Sequence, residues 1–425
     1  MSAAPDPKVN RLVPQFLPFR GIRYDAARLG AHGFGAVVAP PYDVIDDDER
    51  ARLGAEDEHQ SVRLILPGGD DTTRYQAAAS DFATWRADGV LIRDDAPSFT
   101  IYRMRFRDED GTARHTLGVV GALGLPERGD DAVLPHERTL PKAKSDRLAL
   151  LRATRANFDP IWGLSLSEGL TKLIEPDGVP DASCTDTEGV EHTAWHVNDP
   201  KRCEAIAQAV GASRLVLADG HHRFETALNY RDELRAAGKS EDGAGSIMTF
   251  VVELADDELT VRPIHRLITR VGDGIDVRAA LASAFDMTDA GPNSAEGVVA
   301  LQRRMRAEGG LGIVDANGLA LARPRADVVE GALRSLPEPV RPVDAAVFEQ
   351  VIVPALGSPE VVYRHDATDV AAMVEKGATA AVLLRPVTVE QIRAVAFAGE
   401  RMPQKTTFFH PKPRTGVVFR CLDDS

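Results

Sequence analysis

Residues 214–223, Arg214-Leu215-Val216-Leu217-Ala218-Asp219-Gly220-His221-His222-Arg223, decide how this chain is read. The short apolar run reads as a buried strand. Phe224 to Ala237 reads as a helix closed by Gly238 at its C-terminus. A strand, a glycine turn and a helix in that order set free N–H groups and the positive end of the helix dipole at a sheet edge, which stabilises an anion. Gly220 lets backbone approach a ligand closely. Arg223 can fork two hydrogen bonds to phosphate oxygens, and protonated His221 or His222 adds a donor. Asp219, at the strand end, is placed to accept a proton from a hydroxyl or to hold Mg²⁺. Together these suit phosphoryl transfer, where positioning and charge neutralisation supply most of the catalysis. Plainer readings stand beside this one. Asp219 can serve as a helix N-cap, His221 and Glu225 can share one helical face around a metal, and the loop's basic groups can be idle surface.

Outward from this stretch the pattern is mixed. Ala36 to Ala39 is an apolar run stopped by Pro40-Pro41, and Ser61 to Leu66 reads as a strand ended by Pro67-Gly68-Gly69. Tyr75 to Asp88 is helical, with Ala78, Phe82 and Trp85 on one face. Ser98 to Arg107 and Thr116 to Leu123 form a hairpin around Asp108-Glu109-Asp110-Gly111, and Asp146 to Ala156 is a basic amphipathic helix. Residues 167–200 carry weak strands at most, Lys201 to Ala212 is helical, and Ile247 to Leu254 and Leu259 to Pro263 are strands. The expected divisions are a loose tail over 1–17, an α+β region over 18–166, a central region over 167–271 carrying the phosphate turn, and a C-terminal α+β region over 272–425.

Composition narrows the class. At 425 residues the chain exceeds one ordinary core, and 44% hydrophobic with 27% charged residues is a globular balance. A net charge of −14 argues against a general binder of nucleic acid or anionic membrane, because both need a basic surface. Cys184, Cys203 and Cys421 have no metal or redox spacing, as a reducing cytosol permits. Neither a signal peptide nor an apolar run near the roughly 20 residues of a membrane helix is readable. The expectation is a soluble cytoplasmic protein with no membrane and no nucleic-acid partner.

Three further groups bear on chemistry. In His136-Glu137-Arg138-Thr139-Leu140-Pro141-Lys142-Ala143-Lys144-Ser145-Asp146-Arg147, the cations Lys142, Lys144 and Arg147 crowd a helix start, the wrong end for the dipole unless an anion sits among them. A solvated basic helix start paired with Glu137 and Asp146 explains the same residues. His136 and Glu137 are candidate acid–base groups, Glu137 ranking after Asp219 as the base. Lys405-Thr406-Thr407, with His410 and Lys412, looks like the end of a phosphate loop without its glycines, so a phosphate or substrate contact stands against a strand with an exposed Lys. In the rigid turn Pro40-Pro41-Tyr42-Asp43-Val44-Ile45, Tyr42 and Asp43 can line the cleft, or Asp43 can cap the acidic helix beginning at Asp46.

In order, Pro40 to Ile45, His136-Glu137 with Thr139 and Asp146-Arg147, Asp219 to Arg223, and Met402-Pro403 through Lys405 and Lys412 resemble the bacterial and archaeal family known as domain of unknown function 1015, over about residues 18–419. The Asp219–Arg223 turn also resembles the signature of the ParB/sulfiredoxin-like superfamily, which includes free-serine kinases. That resemblance implies an α+β fold with a ParB/sulfiredoxin-like core and an appended α+β subdomain. It implies nucleotide phosphates held by Gly220, His221, His222 and Arg223, aided by Lys142, Lys144, Arg147 and Lys405. ATP or ADP and Mg²⁺ are the implied cofactors, with Tyr42, Asp43 and Thr406 toward the substrate. The expected function is nucleotide-dependent phosphotransfer to a small hydroxylated metabolite, serine first. A phosphatase using the same pocket and a non-enzymatic ParB-like nucleotide-binding adaptor are the alternatives, and a homodimer is left open. The absence of a Cys from the turn disfavours sulfiredoxin chemistry.

Overall fold

The computed structural model describes residues 13–30, 33–70, 73–108, 111–135 and 144–423. It is an α+β protein of two compact units. The first unit takes in the described residues up to 135, continues to 260 and resumes at 411; the second runs from 261 to 410.

The first unit is built on a mixed sheet, nine-stranded among the described residues. Its order is Val133–Pro135, Leu215–Asp219, Ile161–Ser165, Ser246–Glu253, Ala113–Gly124, Phe99–Arg107, Glu191–Val197 and Ala182–Thr185, with Phe16–Leu17 pairing onto Ala113–Gly124. Leu215–Asp219 runs parallel to Val133–Pro135 and antiparallel to Ile161–Ser165. The expected hairpin forms, Phe99–Arg107 against Ala113–Gly124. Strands on both sides of residue 166 therefore pair in this one sheet.

Alternation along Leu215–Asp219 is absent because both faces are covered: four of its five residues are buried. Ile206 and Val210 of helix Pro200–Val210 and Phe224 and Leu228 of helix His221–Ala236 pack into the core that holds Leu215, Leu217, Ile161 and Val251. A second core gathers Tyr24, Phe82, Trp85, Phe158 and Phe419. Phe419 meets Phe82, Phe158 and Tyr24 edge-on, with ring centroids 6.1, 5.6 and 5.8 Å away. Burying one such ring stabilises the fold by roughly 1.5–3 kcal/mol. It pins the last segment, whose backbone also bridges Ala39 through Thr415 and Ile22 through Phe419.

Several expectations change. Ser61–Leu66 is no strand: Val62–Ile65 is one helical turn. Val62, Leu64 and Ile65 are all buried, so the run has no face to alternate, and short apolar runs do not declare their period. The Gln60 amide ties the turn down, accepting from Val62 N and donating to Val38 O, each at 2.7 Å. The tail ends before residue 17, since Phe16 is buried and stacks on Phe99 at 5.1 Å. Residues 167–200 hold a full strand, Glu191–Val197, paired on both sides. Its polarity hid it, because His192 is buried against Tyr102.

The second unit has its own antiparallel sheet, in the order Phe285–Gly291, Gly318–Pro324, Leu311–Asp315, Ala380–Leu383, His265–Arg270 and Glu360–Arg364. Val298, Leu301 and Met305 of one helix and Val370 and Val374 of another cover it.

Candidate functional site

The site begins where Leu215–Asp219 ends. The ladder to Ile161–Ser165 slips between Leu217 and Asp219, a local irregularity that re-aims the Asp219 carboxylate. Gly220 follows with φ +85°, and a Cβ there would sit 2.7 Å from Ile161 Cγ2 and 3.1 Å from Ile161 Cα. Both the backbone angle and the space admit only glycine. The helix then starts at once, at His221 rather than at the expected Phe224, because Gly220 itself is the N-cap. Its first backbone bond runs from Phe224 N to Gly220 O, 2.9 Å. His221, His222 and Arg223 are thus the first turn of a sixteen-residue helix, and no side chain caps it. Asp219 is not its cap.

Asp219 instead binds two cations. Lys412 Nζ donates to Oδ1 at 2.7 Å and Arg223 Nη2 to Oδ2 at 2.9 Å. Burial works against its charge, but Lys412 and then Arg223 outweigh that and hold the carboxyl far below the usual carboxylate range. With each oxygen already taken by a cation, Asp219 does not fit the expected role of Mg²⁺ ligand. Among the described residues no group of three or more His, Cys, Asp or Glu could hold a metal ion. His221 and Glu225 belong to no such group of three among the described residues.

Arg223 is 11% exposed and its fork is partly turned inward, Nη1 donating to Pro160 O at 2.6 Å. Its guanidinium also lies 5.8 Å from the centre of the Tyr42 ring, and that of Arg147 lies 4.3 Å from the same centre. Tyr42, Arg147 and Arg223, distant in sequence, therefore meet at one ring. Tyr42 sits in a 3₁₀ turn, Tyr42–Val44, directly after the two prolines. Asp43 in that turn is exposed and caps nothing; the cap of helix Asp47–Glu56 is Asp46, accepting from Glu49 N at 2.8 Å. Arg147 is fixed by Ile65 O at 2.7 Å and by Asp146.

Two residues here escaped the sequence reading. Asp159 is buried and accepts a hydrogen bond from the Thr415 hydroxyl. Burial pushes its carboxyl up despite Arg223, the reverse of Asp219. Asp159 also shares a cavity of about 60 Å³ with Arg147, Arg223 and Thr226. Only the Asp-Pro turn of Asn157-Phe158-Asp159-Pro160 marked the place in sequence.

The other candidates fall outside the described residues, have only their backbone described, or lie in the second unit. His136, Glu137 and Lys142 lie outside the described residues, and of Lys144 only the backbone opening helix Lys144–Thr154 is described. Lys405 and Thr406 belong to the second unit, where the Thr406 hydroxyl donates to Pro403 O at 2.6 Å. Lys412 from the same stretch is the cation that reaches the site. Among the described residues no helix is long and apolar enough to cross a membrane.

The strand–glycine–helix corner, with no side-chain cap on its helix and Lys412 and Arg223 paired to Asp219 beside it, is the candidate site of this α+β protein. Residues 16–345 match the family described as Protein of unknown function (DUF1015), and the chain belongs to that family. Met402–Lys412 lies beyond the matched span. Similar solved structures include a free serine kinase variant in complex with ADP, 13% identical over 68% of this chain and 89% of that one, TM-score 0.38. Another is a free serine kinase in complex with AMP, 14% identical over 68% and 88%, TM-score 0.36. A third is a conserved hypothetical protein from Pyrococcus furiosus, 13% identical over 69% and 94%, TM-score 0.36. Likenesses this loose carry no argument about activity. No curated protein matches the chain.

Proposed function

We propose that this protein is a nucleotide-dependent phosphotransferase acting on a small hydroxylated metabolite, with free serine the first acceptor to try and a ParB/sulfiredoxin-like core as its frame. The observation that carries this reading is the start of helix His221–Ala236: a left-handed Gly220 and no side-chain cap. The first-turn amides and the helix dipole there favour a phosphoryl oxyanion, and Lys412 and Arg223 stand beside them as fixed charge.

In this reading Asp219 orients Lys412 and Arg223 instead of taking the acceptor's proton, since its proton affinity is far too low for a base working near neutral pH. Asp159, whose affinity is raised, is the carboxyl of the cluster better suited to that step, alongside Glu137. ATP or ADP is the donor. Asp43, exposed in the turn beside Tyr42, is the carboxylate left to share a Mg²⁺ with donor phosphates.

The test combines binding and product. Thermal shift against ADP, ATP, CTP and phosphorylated amino acids reads occupancy, a ligand at 100 times its Kd adding about 2.7 kcal/mol. Incubation with serine, with and without nucleotide, reads chemistry. Donor-dependent phosphorylated product supports phosphotransfer, whereas phosphate released from the metabolite alone replaces it with a hydrolase. Arg223→Ala is expected to cost about 2–4 kcal/mol of transition-state stabilisation. Near-normal turnover in that variant removes Arg223 from the reaction.

A further inference from the structure

The sheet of the second unit ends in two edge strands, Phe285–Gly291 and Glu360–Arg364, and they are built differently. An open edge offers unpaired N–H and C=O groups to another strand, so chains blunt their edges with charges and bulges. Phe285–Gly291 carries both. Its ladder to Gly318–Pro324 slips between Asp289 and Gly291, and Asp286 and Asp289 are exposed along it. Glu360–Arg364 reads Glu-Val-Val-Tyr-Arg, with no charge in its middle. The slip in its ladder falls on Thr269 of the neighbouring strand His265–Arg270 and leaves Glu360–Arg364 itself regular. It pairs with His265–Arg270 on one side, and among the described residues no strand pairs on the other. Its β-branched and aromatic residues favour strand pairing. Val361 and Val362 are half-buried, Tyr363 is 40% exposed, and Glu360 and Arg364 are exposed, so the strand lies at the surface.

Charge says what fits there. When this strand pairs antiparallel with a copy of itself, centred on Val362, Glu360 of each copy stands opposite Arg364 of the other, on the face of Val362. On the opposite face Val361 meets Tyr363. Every cross-strand pair is then of a stabilising kind: opposite charges, β-branched with aromatic, apolar with apolar. Other centres lose this. Moving to Tyr363 sets Glu360 against Asp366, and moving to Val361 sets Glu360 against Val362. Present ties leave both charges able to pair. Arg364 has no carboxylate partner among the described residues, its Nη1 donating to Tyr363 O at 3.1 Å. Glu360 accepts from Arg270 Nη2 at 2.6 Å in an exposed pair, which carries little energetic weight.

We infer that Glu360–Arg364 is a homodimer interface, where a second copy of this chain adds its own Glu360–Arg364 antiparallel and continues the sheet across a two-fold axis at Val362. The inference is independent of the phosphotransfer reading, which concerns the first unit.

Sedimentation equilibrium of the full chain over a concentration series tests it. Wild-type protein is expected to form a reversible dimer. Glu360→Arg and Arg364→Glu each set like charges opposite one another at both ends of the pairing and should weaken association about tenfold. Both substitutions together restore opposite charges and should regain it. Cysteine trapping reads the register. Val362→Cys lies on the axis, where antiparallel partners come within disulfide reach, and should give a disulfide-linked dimer under mild oxidation, while Val361→Cys should not. Wild-type protein oxidised in the same way gives the background from Cys184, Cys203 and Cys421. The cysteine pair decides alone if circular dichroism shows a charge variant unfolded. A monomer at every concentration, association unchanged in the folded single variants, no recovery in the double variant, or trapping through Val361→Cys in preference to Val362→Cys overturns the interface.

Discussion

Two corners of the first unit are made by the same device and differ in outcome. In one, Lys412 reaches the Asp219 carboxylate; in the other, Arg414, two residues on, pairs with Asp186. Both carboxyls are held far below their usual range, Asp219 by Lys412 and Arg223 and Asp186 by the His192 hydrogen bond and Arg414, against the opposing effect of burial. The Asp186 carboxylate is held in a chain of side-chain hydrogen bonds, although it and Arg414 also line a cavity of about 550 Å³. The His192 Nε2–H donates to Asp186 at 2.9 Å, its Nδ1 accepts the Tyr102 hydroxyl at 2.7 Å, and that hydroxyl accepts from Arg414 N at 3.1 Å. This tautomer follows because a carboxylate can only accept. At the Asp219 corner the carboxylate is equally satisfied, but the chain beside it opens onto an uncapped helix start. A shifted carboxyl therefore does not mark a site by itself. What distinguishes the Asp219 corner is the left-handed Gly220 and the helix start without a side-chain cap that follow it.

The largest expected effect separates the corners by chemistry. Lys412→Met should lose about 2–4 kcal/mol of transition-state stabilisation, read as kcat/KM with nucleotide and serine, while Arg414→Met should leave kcat/KM of the folded protein near the wild-type value. Equal losses would mean that the corners are alike. Stability should not tell them apart: Asp219→Asn and Asp186→Asn each leave partly buried cations without their partner, and each should lower the urea midpoint by the equivalent of about 3 kcal/mol. Since both folded carboxyls lie below the ordinary value of 3.8, their contribution is complete above that pH. Acid titration should remove it as pH falls through the folded values.

A milder pH effect belongs to the second unit. His265 is fully buried, accepts from Leu384 N through Nδ1 at 3.1 Å, and is pushed down by burial from 6.5 to about 4. The unfolded chain then binds the proton first. Stability is intact above pH 6.5 and should fall as pH drops toward 4, by up to roughly 3 kcal/mol at about 1.4 per pH unit. His265→Asn should flatten that part of the curve in urea titrations. An unchanged slope would mean that another group titrates there. Smallest is Tyr42→Leu, which removes the ring shared by Arg147 and Arg223 and should cost about 1 kcal/mol of stability. A larger loss of nucleotide affinity than of stability would place the ring against the ligand.

Local features were legible in the amino-acid order. The Leu215–Asp219 strand, the glycine turn, the hairpin and the Ala78/Phe82/Trp85 helix face all follow from periodicity and turn chemistry, and the ordered motifs led to the right family. Errors arose where a neighbour distant in sequence decides. Ser61–Leu66 reads as a strand because burial on all sides removes the helical period, and the helix reads as starting at Phe224 because His221, His222 and Arg223 have the composition of a loop while Gly220 is in fact the cap. The meeting of Tyr42 with Arg147 and Arg223, the reach of Lys412 to Asp219, and the bond from Thr415 to Asp159 depend on tertiary closure that no local pattern encodes.

The most direct check is an amide-resolved NMR titration of the full-length protein with ADP. The largest saturable shifts are expected at the N–H groups of His221, His222 and Arg223, with those around Asp186 and Arg414 unmoved. Saturation without response at these three amides, or no binding at all, would contradict a phosphate at the helix start.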